Sequence, residues 1–181
     1  APRQSRIIVE AITRYPDLVE EVLIAAAFLS ARSPVIFPEG EEIEARKAHA
    51  LFNEPLGDFA SFLKVFRMYS QALDKERFCK IHYLDDRVMA EIANIKEQLE
   101  LIVSDMGVPI LSGGKMEHYL TAIAKGMIQF VCSAQGRDSY RSLTTEKIFI
   151  HPGSCMYKEK EQFIVAGEIV RTSRMYAMSV S

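Results

Sequence analysis

The chain has 181 residues, of which 22 are cationic and 24 anionic, and its net charge is −2. Hydrophobic residues make up 49% and charged residues 25%, an ordinary globular composition that excludes a disordered or collagen-like chain. A chain of this length can bury enough surface to fold without disulfides. Its longest apolar run, Val22 to Leu29, is too short to cross a bilayer.

The first part of the chain has helical periodicity. Apolar residues within 6–31 recur at three- and four-residue spacing, and Tyr15-Pro16-Asp17 interrupts them where proline favours the start of a new helix. Residues 32–57 contain three prolines and two glycines around the charged stretch from Glu41 to Lys47, and they are predicted to form a connector. Asp58 is predicted to cap the next helix, whose wide apolar face continues to about residue 73.

Two further helices are predicted before the pattern changes. The first covers about 85–106 and ends at Gly107 and Pro109. Its apolar residues alternate in steps of three and four, which predicts a helix packed lengthwise on a neighbour: Ile92, Ile95, Leu99, Ile102 and Met106. The second follows Gly113-Gly114 and is predicted to place five residues inward: Leu120, Ile123, Ala124, Met127 and Ile128.

From residue 137 onward, short β-branched or aromatic runs alternate with turns, as is typical of strands. The runs cover 140–143, 147–150, 162–170 and 174–180. Helices followed by strands indicate an α+β protein, here a helical bundle followed by a small β-barrel.

The sequence does not support a nucleotide site, a zinc site or a cysteine nucleophile. Gly113-Gly114-Lys115-Met116 lacks the first glycine and the hydroxyl of a phosphate-binding loop, so no nucleotide site is predicted. Cys79-x-x-His82 and His151-x-x-x-Cys155 could offer metal ligands, but neither pair is repeated at a familiar spacing, and no zinc site is predicted. A small enzyme with a cysteine nucleophile is the least favoured function, because no base or oxyanion donor is identifiable near these thiols.

The last quarter of the chain is the best candidate for binding a polyanion. Residues 137–181 carry a net charge of +2, whereas the preceding residues carry −4. Cations, hydroxyls and aromatics occur together around the predicted turns, a combination that binds single-stranded nucleic acid; a solvated hairpin surface is the alternative. The candidate binding residues are Lys147, His151, Ser154, Lys158, Lys160, Arg171, Thr172 and Ser173, with Tyr157 and Arg174 beside them.

Four stretches, in order, resemble the C-terminal accessory region of DEAH-box ATP-dependent RNA helicases, especially the bacterial type. The run from Val22 to Ser30 resembles the last helix of that family's winged-helix domain, and Gly57-Asp58-Phe59 resembles the entry to its helical ratchet domain. Phe78-Cys79-x-x-His82-Tyr83-Leu84-x-x-Arg87, with Gln98-Leu99 downstream, is similar to the "W-C-x-x-N-F-L-x-x-R … Q-L" pattern of the ratchet domain. The stretches 149–154 and 168–176 are similar to the core of its OB-fold.

The sequence departs from the family pattern at three positions: Phe78 stands for the usual Trp, His82 for Asn and Gly153 for Ser. The two RecA-like motor domains, the first part of the winged helix and the final OB-fold strand are missing. The resemblance therefore implies a winged-helix remnant and connector (1–56), a helical ratchet domain (57–135) and a partial, truncated OB-fold (136–181). Both ends look cut, so a fragment of a longer polypeptide is expected.

The resemblance implies an accessory module of an ATP-dependent RNA helicase that helps to hold single-stranded RNA, or DNA, and to regulate the motor. The fragment itself would lack ATPase activity and cofactors, while ATP and Mg²⁺ would act in the parent protein. Expected partners are RNA, the motor domains of the same polypeptide and an activator protein, without a membrane. The alternative is a protein-docking module without nucleic-acid contact. Three scattered cysteines and the lack of a leader pattern indicate reduced thiols and a cytoplasmic protein.

Overall fold

The computed structural model describes residues 2–181 and begins with a helical bundle. Its helices are α1 (Arg3–Arg14), α2 (Val19–Ser30), α3 (Glu42–Ala50), α4 (Asp58–Gln71), α5 (Lys75–Ile81), α6 (Asp86–Asp105) and α7 (Met116–Gly126). The predicted break between the first two helices is confirmed, because Pro16 opens a 3₁₀ turn over Pro16–Leu18. Helix α2 is buried on nearly all sides and packs against α1, α4 and α6, so it forms the centre of the bundle.

The connector predicted over 32–57 contains a helix, α3, that the sequence analysis did not predict. Only Ala45 of this helix is buried, so it lacks the apolar face that makes a helix recognisable. An isolated bridge between Val35 and Leu84 attaches the start of the connector to the loop before α6.

The lengthwise packing predicted for α6 is only half correct. Ile92 is buried and Ile95 and Leu99 are half-buried, whereas Ile102 and Met106 are 58% and 66% exposed. Helix α6 has 20 residues and its neighbour α2 has 12. At about 1.5 Å per residue, α6 is roughly 12 Å longer than α2. In its last turns the buried residue is Val103, which is 3% exposed, rather than Ile102 or Met106.

The inward face predicted for α7 is correct except at its end. Ile123 and Met127 are buried, but Ile128 is 59% exposed. The chain tightens into a 3₁₀ turn over Ile128–Phe130, and this change of period rotates the side chain of Ile128 away from the core.

Five strands form a closed barrel after the bundle, so the α+β prediction is confirmed. They are β1 (Val131–Gln135), β2 (Ser139–Arg141), β3 (Ile148–Ile150), β4 (Phe163–Arg171) and β5 (Met175–Val180). Their order around the barrel is β1-β2-β3-β5-β4. All neighbours are antiparallel except β3 and β5. This arrangement is an OB-type barrel.

Strand β1 was not predicted, and it is the strand that closes the barrel. It pairs with β2 on one side and with β4 on the other. The truncation expected from the sequence therefore does not leave the barrel open. The domain boundaries at 56 and 135 stay predictions.

The helical bundle and the barrel have separate hydrophobic cores, and these two cores meet at β4 and α4. Val165 of β4 belongs to the large core of the bundle. A smaller core fills the barrel and contains Cys132, Tyr140, Ile148, Ile150, Met156, Ile164, Ala166, Ala177 and Val180. Across residues 2–181, no helix combines the length and the apolar character that a membrane crossing requires.

Candidate nucleic-acid interface

The outer surface of the barrel carries an aromatic platform. Ile148 and Ile150 point into the barrel core and are buried, so Phe149 between them lies on the outer face. In the parallel register of β3 and β5, Phe149 is paired with Tyr176, and both side chains are half-buried. The ring of His151 meets Tyr176 edge-on, with 5.7 Å between the ring centroids.

An arginine lies on this platform. Arg174 belongs to the turn between β4 and β5, and its guanidinium carbon is 4.8 Å from the centroid of the Phe149 ring. The turn is closed by the backbone of Thr172, whose N–H donates to the carbonyl of Arg174 at 2.8 Å. The contact keeps a planar cation over an aromatic face at the barrel surface.

A groove of about 510 Å³, which we call the barrel groove, begins at this platform. It runs between the β1–β2 turn, β3 and the segment that follows β3. Its lining is Arg137, Asp138, Tyr140, Phe149, Ile150, Tyr157, Lys158, Glu159, Lys160 and Arg174. Four cations face two carboxylates, so the net charge of the groove is +2. Among the aromatic rings of the groove, Tyr157 is exposed, Phe149 is half-buried and Tyr140 is buried. Cations beside accessible aromatic rings are typical of surfaces that bind single-stranded nucleic acid.

The structure separates the predicted binding residues into three groups, apart from Lys147, which belongs to none of them. Lys158 and Lys160 line the barrel groove; Lys160 lies 3.7 Å from Asp138, and both side chains are about two-thirds exposed. Arg171, Thr172 and Ser173 are exposed in the same turn as Arg174. Lys147 is exposed before β3, at a backbone φ of 52°, and does not line the groove.

The third group, His151 and Ser154, lies at the junction with the bundle. Nδ1 of His151 accepts from the backbone N–H of Gly153 at 3.0 Å. The hydroxyl of Ser154 donates to a carboxylate oxygen of Asp58 at 2.6 Å. The Ser154 hydroxyl is therefore engaged in a contact between bundle and barrel.

Asp58 does not cap α4 as predicted; it joins the bundle to the barrel. Gly57 occupies the N-cap position, at a φ of 103°, and Asp58 is the first helical residue. Besides Ser154, its carboxylate accepts from the backbone N–H of Cys155 at 3.0 Å and of Val180 at 2.6 Å. These barrel donors replace the helix amides that a capping carboxylate would bind. We call this set of contacts the Asp58 clamp.

A second cavity, of about 450 Å³, lies between the bundle and the barrel. We call it the junction cavity. Its walls are mostly apolar and include Phe37, Phe52 and Phe62, while Arg46 and His49 lie at one side. His49 bonds the carbonyl of Tyr83 through Nε2 at 2.8 Å, and burial lowers the pKa of its imidazole.

The cysteines are in environments that disfavour thiolate chemistry. Burial raises the pKa of Cys79, Cys132 and Cys155 to about 11, and the carboxylate of Asp58 adds to the effect at Cys155. A thiol with so high a pKa is a poor nucleophile and a poor metal ligand at neutral pH. Within residues 2–181, no three His, Cys, Asp or Glu side chains cluster as metal ligands would.

The sequence analysis named four of the ten groove residues as candidates and missed the other six, among them Arg137 and Phe149. Arg137 lies in the turn between β1 and β2, so recognition of β1 would have drawn attention to it. Phe149 was part of the OB-fold motif but not a candidate binding residue. Side chains alternate between the two faces of a strand, so burial of Ile148 and Ile150 would have predicted that the ring of Phe149 lies outside the barrel.

Together, the elements define a helical bundle joined to an OB-type barrel that carries a cationic groove. Family comparison agrees: residues 1–81 match the "Helicase associated domain (HA2), ratchet-like" family and residues 120–181 match the "Oligonucleotide/oligosaccharide-binding (OB)-fold" family. The chain therefore contains a ratchet-like helicase-associated domain and an OB-fold, the two kinds of domain that its sequence predicts.

Individual relatives of the chain are named as ATP-dependent RNA helicases. The chain is 38% identical, over 99% of its length, to the ATP-dependent RNA helicase HrpA of Borreliella burgdorferi, of which it covers 22%. It is 24% identical, over 97% of its length, to the Escherichia coli ATP-dependent RNA helicase HrpA, of which it covers 14%. It is also 24% identical, over 90% of its length, to the human probable ATP-dependent RNA helicase DHX35, of which it covers 24%. The chain thus spans less than a quarter of the length of these relatives.

Proposed function

We propose that the chain holds single-stranded RNA in the barrel groove, as the accessory part of an ATP-dependent RNA helicase. The observation that carries this proposal is the convergence of four cations on one groove, beside the exposed ring of Tyr157 and the half-buried ring of Phe149. The four cations are Arg137, Lys158, Lys160 and Arg174. Contacts of this kind bind the phosphate backbone and position a strand without selecting its sequence.

The affinity should be weak and sensitive to salt, because only four cations line the groove. If each of the four neutralises one phosphate of a single strand, the slope of log affinity against log salt is about −2.8. Affinity should then fall about 50-fold between 50 and 200 mM salt. Fluorescence anisotropy of a labelled 12-nucleotide oligoadenylate, titrated with the 181-residue chain, measures this directly.

A charge-reversed pair tests whether the strand lies in the groove. Lys158→Glu with Lys160→Glu should lower the affinity and reduce the salt slope by about 1.4, since two phosphate contacts are lost. The matched control is Glu41→Lys with Glu42→Lys, at the exposed start of α3, which should leave both quantities unchanged. Equal behaviour of the two double variants would show that the groove is not the RNA site.

In the parent protein, ATP and Mg²⁺ would act in motor domains outside this chain, and the chain alone would not hydrolyse ATP. A phosphate-release assay tests this: the chain alone, with or without RNA, should release phosphate at the rate of a blank. Regulation of the motor by this module belongs to the same proposal.

Protein docking without RNA contact is a second candidate, favoured by the mostly apolar junction cavity. Phe37, which lines it, is 46% exposed, and an activator protein could bury this ring. Absence of RNA binding by the wild-type chain at 50 mM salt would favour this candidate over the first.

A further inference from the structure

We infer that the barrel groove contains a base-stacking subsite formed by Phe149 and Arg174, so that it binds an unpaired nucleobase in addition to phosphates. This inference rests on the proposed RNA-binding function and specifies its ligand chemistry. A groove that used its cations for phosphates alone would bind any flexible polyanion equally well.

The first argument is the position of the arginine. Its guanidinium lies over the Phe149 ring at 4.8 Å, and Arg174 itself is exposed to solvent. Because Arg174 is exposed, its guanidinium stays accessible to a ligand while it contacts the ring. Nucleobases stack on guanidinium planes as they do on aromatic rings.

The second argument is that the stack is held in place before a ligand arrives. Phe149 is fixed by β3, whose flanking isoleucines are anchored in the barrel core. The backbone of Arg174 is held by the short turn, in which the N–H of Thr172 donates to the Arg174 carbonyl at 2.8 Å, and its guanidinium already lies over the Phe149 ring. A preformed stack loses little side-chain freedom on binding, which favours affinity.

The third argument is the surroundings. Tyr157, which is 51% exposed, lines the same groove, and so do three further cations. A base on the Arg174 face would therefore have an aromatic ring and phosphate-binding side chains within one groove. Single-stranded nucleic acid supplies a base and a phosphate at every residue, whereas a duplex keeps its bases stacked internally.

The test compares two polyanions, a 12-nucleotide oligoadenylate and inorganic polyphosphate of similar chain length, which has no bases. Phe149→Leu retains apolar volume but removes the aromatic face; Arg174→Lys retains the charge but removes the plane. Each should weaken oligoadenylate binding about 5- to 150-fold, the range for loss of one stacked base. Neither should change polyphosphate binding or the salt slope.

Lys158→Ala is the matched control, because its cation lies in the groove outside the stack. It should weaken both ligands alike and reduce the salt slope by about 0.7 for the oligonucleotide. Arg174→Lys lies on an exposed turn, so the test does not depend on the folding of the Phe149 variant.

Two outcomes would overturn the subsite while leaving RNA binding intact. One is wild-type affinity for oligoadenylate in both Phe149→Leu and Arg174→Lys; the other is equal weakening of oligoadenylate and polyphosphate by these variants. If the wild-type chain binds neither ligand at 50 mM salt, the proposed function and the subsite are both wrong.

Discussion

Removal of the carboxylate in Asp58→Ala should destabilise the junction between bundle and barrel. The substitution removes the acceptor for the Ser154 hydroxyl and for the amides of Cys155 and Val180, at 2.6, 3.0 and 2.6 Å. Hydrogen bonds to a charged group contribute about 1.5–3 kcal/mol each. Because Asp58 is half-buried, water can replace part of them, and the expected loss in the free energy of unfolding is about 3 kcal/mol.

Urea unfolding of Asp58→Ala, with hydrogen exchange of the Cys155 and Val180 amides, measures this effect. The matched control is Glu54→Ala, which removes an ion pair with Lys64 whose atoms are 3.6 Å apart and whose side chains are each about one-third exposed. An ion pair this exposed contributes less than about 1 kcal/mol. A loss in Asp58→Ala no larger than in Glu54→Ala, with unchanged amide exchange, would refute the clamp.

Three further predictions concern a buried acid, a glycine and a thiol. Burial raises the pKa of Glu21, which is 2% exposed. The folded state therefore binds the proton more tightly than the unfolded state does, and the wild type should gain stability relative to Glu21→Gln as the pH falls from 7 towards 5. Urea unfolding of the two proteins across this pH range measures the difference. Gly57→Ala should lower the free energy of unfolding, measured by thermal denaturation, by about 2–3 kcal/mol, because φ is 103° and the new Cβ would lie 2.5 Å from Cα of Ser181. The control Gly40→Ala has a φ of 82° but open space around the new Cβ, so it should lower that free energy by about 1 kcal/mol. Alkylation of Cys155 by iodoacetamide should accelerate about tenfold per pH unit from 8 to 10, because its pKa is about 11, whereas free cysteine levels off near pH 9.

Local periodicity predicted the long helices that bury a continuous apolar face, and it gave no bounds for the two short helices α3 and α5. Helices α1, α2, α4, α6 and α7 present apolar residues at helical spacing, and all were expected. Helix α3 buries only Ala45, so its position depends on contacts distant in sequence, such as the bond from His49 to the Tyr83 carbonyl. Strand β1 was missed for the same reason. It is defined by its pairing with β4, where Val131 is opposite Val165, and the pattern of a five-residue segment does not show which distant strand it pairs with.

The sequence predicted the residue types of the candidate site but not how the fold brings them together. Turns rich in lysine, arginine and hydroxyl residues indicated the part of the chain that supplies most of the barrel groove. The groove, however, joins Arg137 of the β1–β2 turn to Arg174 of the β4–β5 turn, and only closure of the barrel brings these two turns together. Ser154, assigned to nucleic acid from the sequence, bonds Asp58, which is 96 residues away.

The Asp58 clamp and the barrel groove share one segment of chain, which leads to a last prediction. The segment after β3 is held at Ser154 and Cys155 by Asp58 and contributes Tyr157 and Lys158 to the groove only a few residues later. Release of the clamp should therefore loosen the groove wall. We expect Asp58→Ala to weaken oligoadenylate binding several-fold at a temperature where the variant is folded, although Asp58 does not line the groove, because a mobile wall must be ordered on binding.

Hydrogen exchange separates this coupling from simple destabilisation. In Asp58→Ala without RNA, the amides of the segment after β3 should exchange faster while those of β3 itself stay protected. Saturating oligoadenylate should restore part of that protection, since a ligand that binds the ordered groove favours it. If Asp58→Ala keeps wild-type affinity while the segment exchanges freely, the groove is formed without this wall, and its phosphate contacts must come from Arg137 and Arg174.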